Sequence, residues 1–145
     1  MKIIYTSNYA RQANNPRAFG ISAVTPDWFN GYTLPKLAPT MGMVSKIKDG
    51  GNNYNAEDYT KDYIELLEER GIDAEELVNS LPNEAMLLCY ESPGDFCHRH
   101  VLTKWIQEQT GVIIPEWKNI VETKADIKDI QNEEKKKLVD TFLKF

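Results

Sequence analysis

Cysteine is scarce in this chain: Cys89 and Cys97 are the only two in 145 residues, too few for the disulfide framework of a small secreted domain. Any role they have is catalytic, metal-binding or plain core packing. No apolar run approaches the roughly 20 residues that cross a bilayer, and MKIIYTSNYARQ turns polar too soon for a signal peptide. A surplus of positive charge is also missing. The formal net charge is -5, which argues against a general polyanion binder, because non-specific nucleic-acid affinity comes from excess Lys and Arg. Neither G-x-x-x-x-G-K-[ST] nor G-x-G-x-x-G occurs, so the common nucleotide-binding loops are absent. No repeat or low-complexity tract is seen. The expectation is a cytoplasmic protein that does not engage membranes, with no cofactor predicted.

What is present is the balance of a folded domain, 41% hydrophobic and 10% aromatic against 27% charged. The length suits one domain, 1–145, around one core. Charge is unevenly placed. Residues 1–50 carry six basic and two acidic side chains, whereas residues 51–96 carry two and twelve. The basic third offers a positive face to an anionic ligand, while the acidic stretch reads most simply as a solvated helix face.

Periodicity sketches the elements. Lys2 to Thr6 reads as a buried strand, Ser7 to Phe19 as a polar loop, and Gly20 to Val24 as a second short strand ending at Pro26. From there, Pro26, Pro35, Pro39, Gly42, Gly50 and Gly51 punctuate a stretch with no sustained period, so 25–54 is expected to be a long loop. A connection of that length is uncommon without a task, which suggests a lid, or else short elements that the pattern conceals. Its Trp28, Phe29, Tyr32 and Lys36 are candidates to line a pocket, or simply to anchor the loop.

Asn55 to Arg70 is the clearest helix, with Tyr59, Tyr63, Leu66 and Leu67 on one stripe and Gly71 as its stop. A short helix is expected over Asp73 to Leu81. Ala85 to Glu91 is a continuous apolar run of strand length, the pattern of a central strand covered on both faces. After Ser92-Pro93-Gly94-Asp95 a helix is predicted from Cys97 to Gln109, then a last strand at Val112 to Ile114. Asn132 is a candidate cap for an amphipathic helix within 124–145 that carries Leu138, Val139, Phe142 and Leu143. Strands alternating with helices indicate an α/β fold, a mostly parallel sheet flanked by helices in a Rossmann-like three-layer arrangement.

The informative stretch is LLCYESPGDFCHRH, Leu87 to His100, at the passage from the buried strand into a helix. Ligands of open α/β sheets bind beyond the carboxyl ends of strands, where the next helix offers unpaired N–H groups. Cys97, beside His98 and Arg99, is placed for a stabilised thiolate and hence for nucleophilic chemistry; alternatively it is a small apolar residue on the buried stripe. Arg99 suits a phosphate or carboxylate, or else an internal ion pair with Glu91 or Asp95. Asp95 is equally a candidate helix cap. His98 is a candidate general acid or base near neutral pH. His100 points elsewhere and reads as a surface residue. Cys89 and Glu91 alternate on the strand and share one face, so either both approach the cluster or neither does.

Zinc held by Cys89, Cys97 and a histidine is disfavoured, because C-x7-C-H-x-H matches none of the usual paired-ligand spacings. A phosphatase-type loop fails too, since Cys97 and Arg99 stand too close in sequence to embrace a phosphate. LLCYESPGDFCHRHVLTKW does, however, resemble the signature of the bacterial and phage family catalogued as domain of unknown function four-eight-eight. KIIYTSNY, ISAVTPDWFNGYTLPKLAP and the Tyr59/Tyr63 helix are similar to one branch of it, so the resemblance covers most of residues 1–110. It implies an α/β domain with Cys89, Glu91, Cys97, His98 and Arg99 as signature positions, and no particular reaction.

The functional expectation is a domain that binds or processes a small phosphorylated or nucleotide-like ligand. Cys97, His98 and Glu91 would be the reactive groups, and Arg99, Cys89, Tyr90, Trp28 and Lys36 the ligand contacts. Two other readings stand beside it: a non-catalytic interaction module in which the cluster is a structural polar network, and a nucleic-acid-associated accessory protein.

Overall fold

The computed structural model describes residues 2–48, 53–91 and 96–117, together with Asn132 and Lys136. Strands β1 (Ile4–Asn8), β2 (Ala18–Gly20), β3 (Tyr32–Thr33) and β4 (Ala85–Cys89) form one sheet in the order β1-β4-β2-β3, with every pairing parallel. All five residues of β4 are buried, as a strand covered on both faces requires. Its central place, read from AMLLC, is what the sheet shows. The α/β class holds as well: the helices among the described residues are α1 (Tyr9–Gln12), α2 (Met41–Lys48), α3 (Ala56–Glu69), α4 (Ala74–Ser80) and α5 (His98–Thr110).

Alternation along β4 sorts the core into two layers. Ala85 and Leu87 pack with Ile4 against Tyr63, Leu67, Val78, Leu102 and Ile106 of α3, α4 and α5. Met86 and Leu88 face the other way, onto Tyr5, Tyr9 and Phe29. Cys89 follows Leu87 by two residues and so points to the α5 side. That parity brings the end of β4 within reach of the start of α5.

The helices end where their sequences say. Asn55 and Asp58 form a reciprocal capping box at the start of α3, whose buried Tyr59, Tyr63 and Leu67 recur every four residues, and Gly71 follows with φ +70°. Asp73 caps α4 through its side chain. On α5, Val101, Leu102, Trp105 and Ile106 are buried, and Gly111 at φ +77° accepts the left-handed turn that stops it.

Several expectations are corrected. The first strand is Ile4–Asn8 rather than Lys2 to Thr6, and the second lies at Ala18–Gly20, ahead of Gly20 to Val24. The presumed polar loop holds α1, capped by the Asn8 side chain; four residues are too few to show a period. In the stretch 25–54 the described residues hold β3, a 3-10 turn at Pro35–Leu37 and α2, the short elements that the pattern conceals, rather than one long lid loop. Only Met43 of α2 is fully buried, so no apolar stripe announces that helix. Val112 to Ile114 forms no strand. The chain instead meets β1 at one parallel bridge, Thr6 to Glu116, where the Thr6 N–H donates to the Pro115 carbonyl at 3.0 Å and the Trp117 N–H donates to the Thr6 carbonyl at 2.7 Å. Asn132 and Lys136 are helical, which makes Asn132 a helix residue rather than a cap; Leu138, Val139, Phe142 and Leu143 lie outside the described residues, as does the turn Ser92 to Asp95.

Tyr63 ties the 3-10 turn to α3. Its hydroxyl donates to the Leu37 carbonyl at 2.7 Å in a fully buried setting. Tyr63→Phe leaves that carbonyl unpaired and is expected to cost about 1–3 kcal/mol in urea denaturation.

Candidate functional site

A cavity of about 410 Å³ opens at the carboxyl end of β4. One wall carries Cys89, Glu91, Cys97 and His98; the facing wall is Pro39, Met41, Val44 and Ile47, with Tyr59, Tyr90 and Phe96 supplying aromatic surface and Lys48 a cation. Its position is that expected of a ligand site in an open parallel sheet, beyond the strand ends and at the start of a helix. The polar wall is local in sequence. The apolar wall comes from α2 and the segment leading into it, where the sequence carries no sustained period.

Cys97 is the N-cap of α5, in extended backbone, and makes no side-chain capping bond. Its thiol is therefore not spent on the helix amides. The Cys97 and Cys89 sulfurs are in contact, within disulfide distance, on Cα atoms 7.8 Å apart. His98 lies next to them, its Nδ1 3.6 Å from the Cys97 sulfur and its Nε2 2.6 Å from the Ile21 carbonyl. A carbonyl only accepts, so the proton sits on Nε2 and Nδ1 presents a lone pair towards the sulfur. Burial pulls the His98 pKa down to about 4, helped by the Arg99 charge and opposed by the Ile21 bond. The imidazole is neutral at pH 7.

Arg99 has a different setting from the one expected. It is fully buried, and its partner is Glu116 rather than Glu91, Asp95 lying outside the described residues: Nε and Nη2 approach the carboxylate at 3.0 and 2.9 Å. Its Nη1 donates to the Cys89 sulfur at 2.7 Å. The Thr6 hydroxyl donates to the same carboxylate at 2.8 Å. A guanidinium engaged on all three nitrogens is not presented to a ligand in the cavity. Because α5 turns this residue inward beneath β1, the incoming Glu116 meets it there.

Glu91 does lie on the face of Cys89, with Oε2 3.2 Å from that sulfur, but no hydrogen bond joins it to His98 or Arg99 among the described residues. Tyr90 is half exposed and lines the cavity, its ring 5.1 Å from Tyr9. Trp28 and Lys36 are not brought to it. Trp28 is largely exposed with its ring against Tyr9, and Lys36 is exposed on the 3-10 turn, where its carbonyl accepts from Arg70. Helix α2 lines the cavity instead. His100 is half-buried rather than a surface residue, and its Nε2 finds no partner among the described residues.

The cluster thus divides. Arg99, Glu116 and Thr6 form a buried joint between α5 and the sheet, Glu91, Cys97 and His98 face the cavity, and Cys89 touches both groups. Sequence reasoning missed Glu116, Ile21 and the α2 wall. A buried arginine demands a carboxylate, which was the one available signal for Glu116.

Fold and site together define an α/β protein with a cysteine- and histidine-walled cavity at the carboxyl edge of a parallel sheet. The model of the family DUF488-N3a, described as the active DUF488-N3 subclade, matches residues 9–110. The chain belongs to this family. No curated protein and no solved structure matches it.

Proposed function

We propose that the protein binds and processes a small nucleotide-like molecule in the cavity at the end of β4. The observation that carries this reading is the make-up of the cavity: Cys97, His98 and Glu91 on one side, apolar and aromatic surface on the other. Its volume of 410 Å³ falls within the roughly 300–1,000 Å³ of small-molecule sites. A flat heterocycle suits the surface formed by Tyr59, Tyr90 and Phe96, since every base has a π-face to stack. Phosphate would be met by Lys48, not by Arg99, whose hydrogen bonds are already made. The reacting atom would then face the Cys97 and His98 end, where a neutral imidazole is available to exchange a proton.

The reading is checked by calorimetric titration with nucleosides, nucleotides and sugar phosphates. Val44→Trp fills the cavity and is expected to weaken binding at least about tenfold, with the circular dichroism unchanged. Lys48→Ala should weaken only the phosphorylated members of the panel. Binding that survives Val44→Trp undiminished would rule out the cavity, and failure of every panel member would rule out the ligand class.

The structural alternative has an observation of its own. Arg99 and Glu116 behave as a buried joint, so the network reading describes that half of the cluster and the ligand reading the half that lines the cavity.

A further inference from the structure

We infer that Cys89, Cys97 and His98 form a metal centre for a zinc-class divalent ion, with its open position on the cavity. The sulfur of each cysteine and a ring nitrogen of the histidine lie within 4.8 Å of one another, and all three residues are buried. Two thiolates and an imidazole around one ion, at bond lengths of about 2.0–2.3 Å, stand roughly 3.5–3.8 Å apart; the His98 Nδ1, 3.6 Å from the Cys97 sulfur, has that spacing already, while the two sulfurs, in contact here, part to admit the ion. Sulfur and nitrogen donors select zinc over the oxygen-loving cations.

Three further features fit ligation. His98 is held at Nε2 by the Ile21 carbonyl at 2.6 Å, the kind of backbone contact that fixes the ring and tautomer of a ligating histidine, and Nδ1 is left with its lone pair towards Cys97. Arg99 donates to the Cys89 sulfur at 2.7 Å, which favours thiolate over thiol. The two cysteine Cα atoms, 7.8 Å apart, lie beyond the 4.4–6.8 Å usual for a direct disulfide. An ion between the sulfurs has no such limit.

Binding releases the two thiol protons to solvent, including the one that Cys89 donates to Glu91; the two thiolates then balance the divalent ion and Arg99 balances Glu116, which leaves the Glu91 carboxylate as the remaining charge beside the ion. The spacing argument that disfavoured zinc assumes ligands paired on a turn or along a helix. Here they come from the last residue of β4, the N-cap of α5 and the residue after it, and only the fold unites them. Three protein ligands leave a fourth position, and Cys89, Cys97, His98 and the neighbouring Glu91 all line the cavity. Three protein ligands and one open position characterise a catalytic zinc rather than a structural one. The ion would polarise an oxygen or nitrogen of the bound molecule, with Glu91 beside it to accept a proton.

This inference deepens the cavity reading, but its test uses metal alone and so fails independently of the ligand panel. The full chain, reduced and stripped of metal by chelator, is titrated with cobalt(II) as the spectroscopic probe. The expected result is one equivalent bound, with thiolate-to-metal charge-transfer bands and the intense ligand-field bands of a tetrahedral site, displaced by zinc. Cys97→Ser, which places a favoured capping residue at the start of α5, is expected to fold and to weaken binding by more than the roughly 10–100-fold that changes outside the ligand set cost. His98→Gln, whose amide nitrogen reaches the place of Nε2 and can still donate to Ile21 while the Nδ1 ligand is lost, gives a second folded variant with the same loss. Absence of the charge-transfer bands in folded, reduced protein overturns the inference, as does full cobalt affinity in both variants. Cysteines that stay linked in protein purified under reductant overturn it as well.

Discussion

Arg99→Ala is expected to cost about 3–5 kcal/mol of stability, read as a fall in the urea midpoint with little change in slope. The cost comes mainly from what is left behind. Glu116, only 12% exposed at its side chain, keeps its charge and loses the guanidinium that neutralises it. Thr6 then remains its sole described hydrogen-bond partner, and Cys89 loses a donor. The pair itself need not be worth that much. Arg99→Met combined with Glu116→Leu removes both charges while keeping volume, and should recover most of the loss, because buried ion pairs gain little over well-packed apolar replacements. If Arg99→Ala is no less stable than wild type, the buried-joint description fails, and Arg99 returns to the list of ligand contacts.

The second large effect is acid sensitivity. His98 titrates at about 4 in the folded protein, against about 6.5 in an unfolded chain. Between these values the unfolded state binds the extra proton, so stability is full above about pH 6.5 and falls as pH drops to about 4. The loss amounts to about 3 kcal/mol across that window. It is measured on reduced, metal-free protein by denaturant unfolding at several pH values. His98→Gln keeps a donor for Ile21 at the place of Nε2 but cannot titrate, and its profile should be flatter by that amount. Parallel profiles for the two proteins would show that the imidazole is not held neutral by burial.

The parts of the fold legible in the sequence are those with a long period or a complete cap. Helix α3 has an apolar stripe and a reciprocal cap, α5 has a stripe and a glycine stop, and β4 has an unbroken apolar run. Each of these local preferences agrees with the burial that the fold imposes. Helix α2 was hidden because it presents one buried methionine between a proline and two glycines, and its working face lines a cavity rather than the core. Strands β2 and β3, at three and two residues, are too short for alternation to register.

The same contrast runs through the site. Cys89, Glu91, Cys97 and His98 were legible because one strand-to-helix passage carries all of them. The carboxylate opposite Arg99, the carbonyl opposite His98 and the wall opposite both come from distant segments. Only tertiary packing brings residues 17, 77 and about 50 positions away into contact.

The bridge between Thr6 and Glu116 also bears on where the folding unit ends. The family match stops at residue 110, yet the counter-charge of Arg99, the outer hydrogen-bond partner of β1 and the ring that packs edge-on against Tyr5 at 5.0 Å all lie between Pro115 and Trp117. A chain cut at Thr110 would keep the signature residues but lose the counter-ion beneath them and expose an open flank of the sheet. The smallest fragment able to hold the cysteines and histidine in place therefore extends at least to Trp117, past the boundary that family resemblance draws.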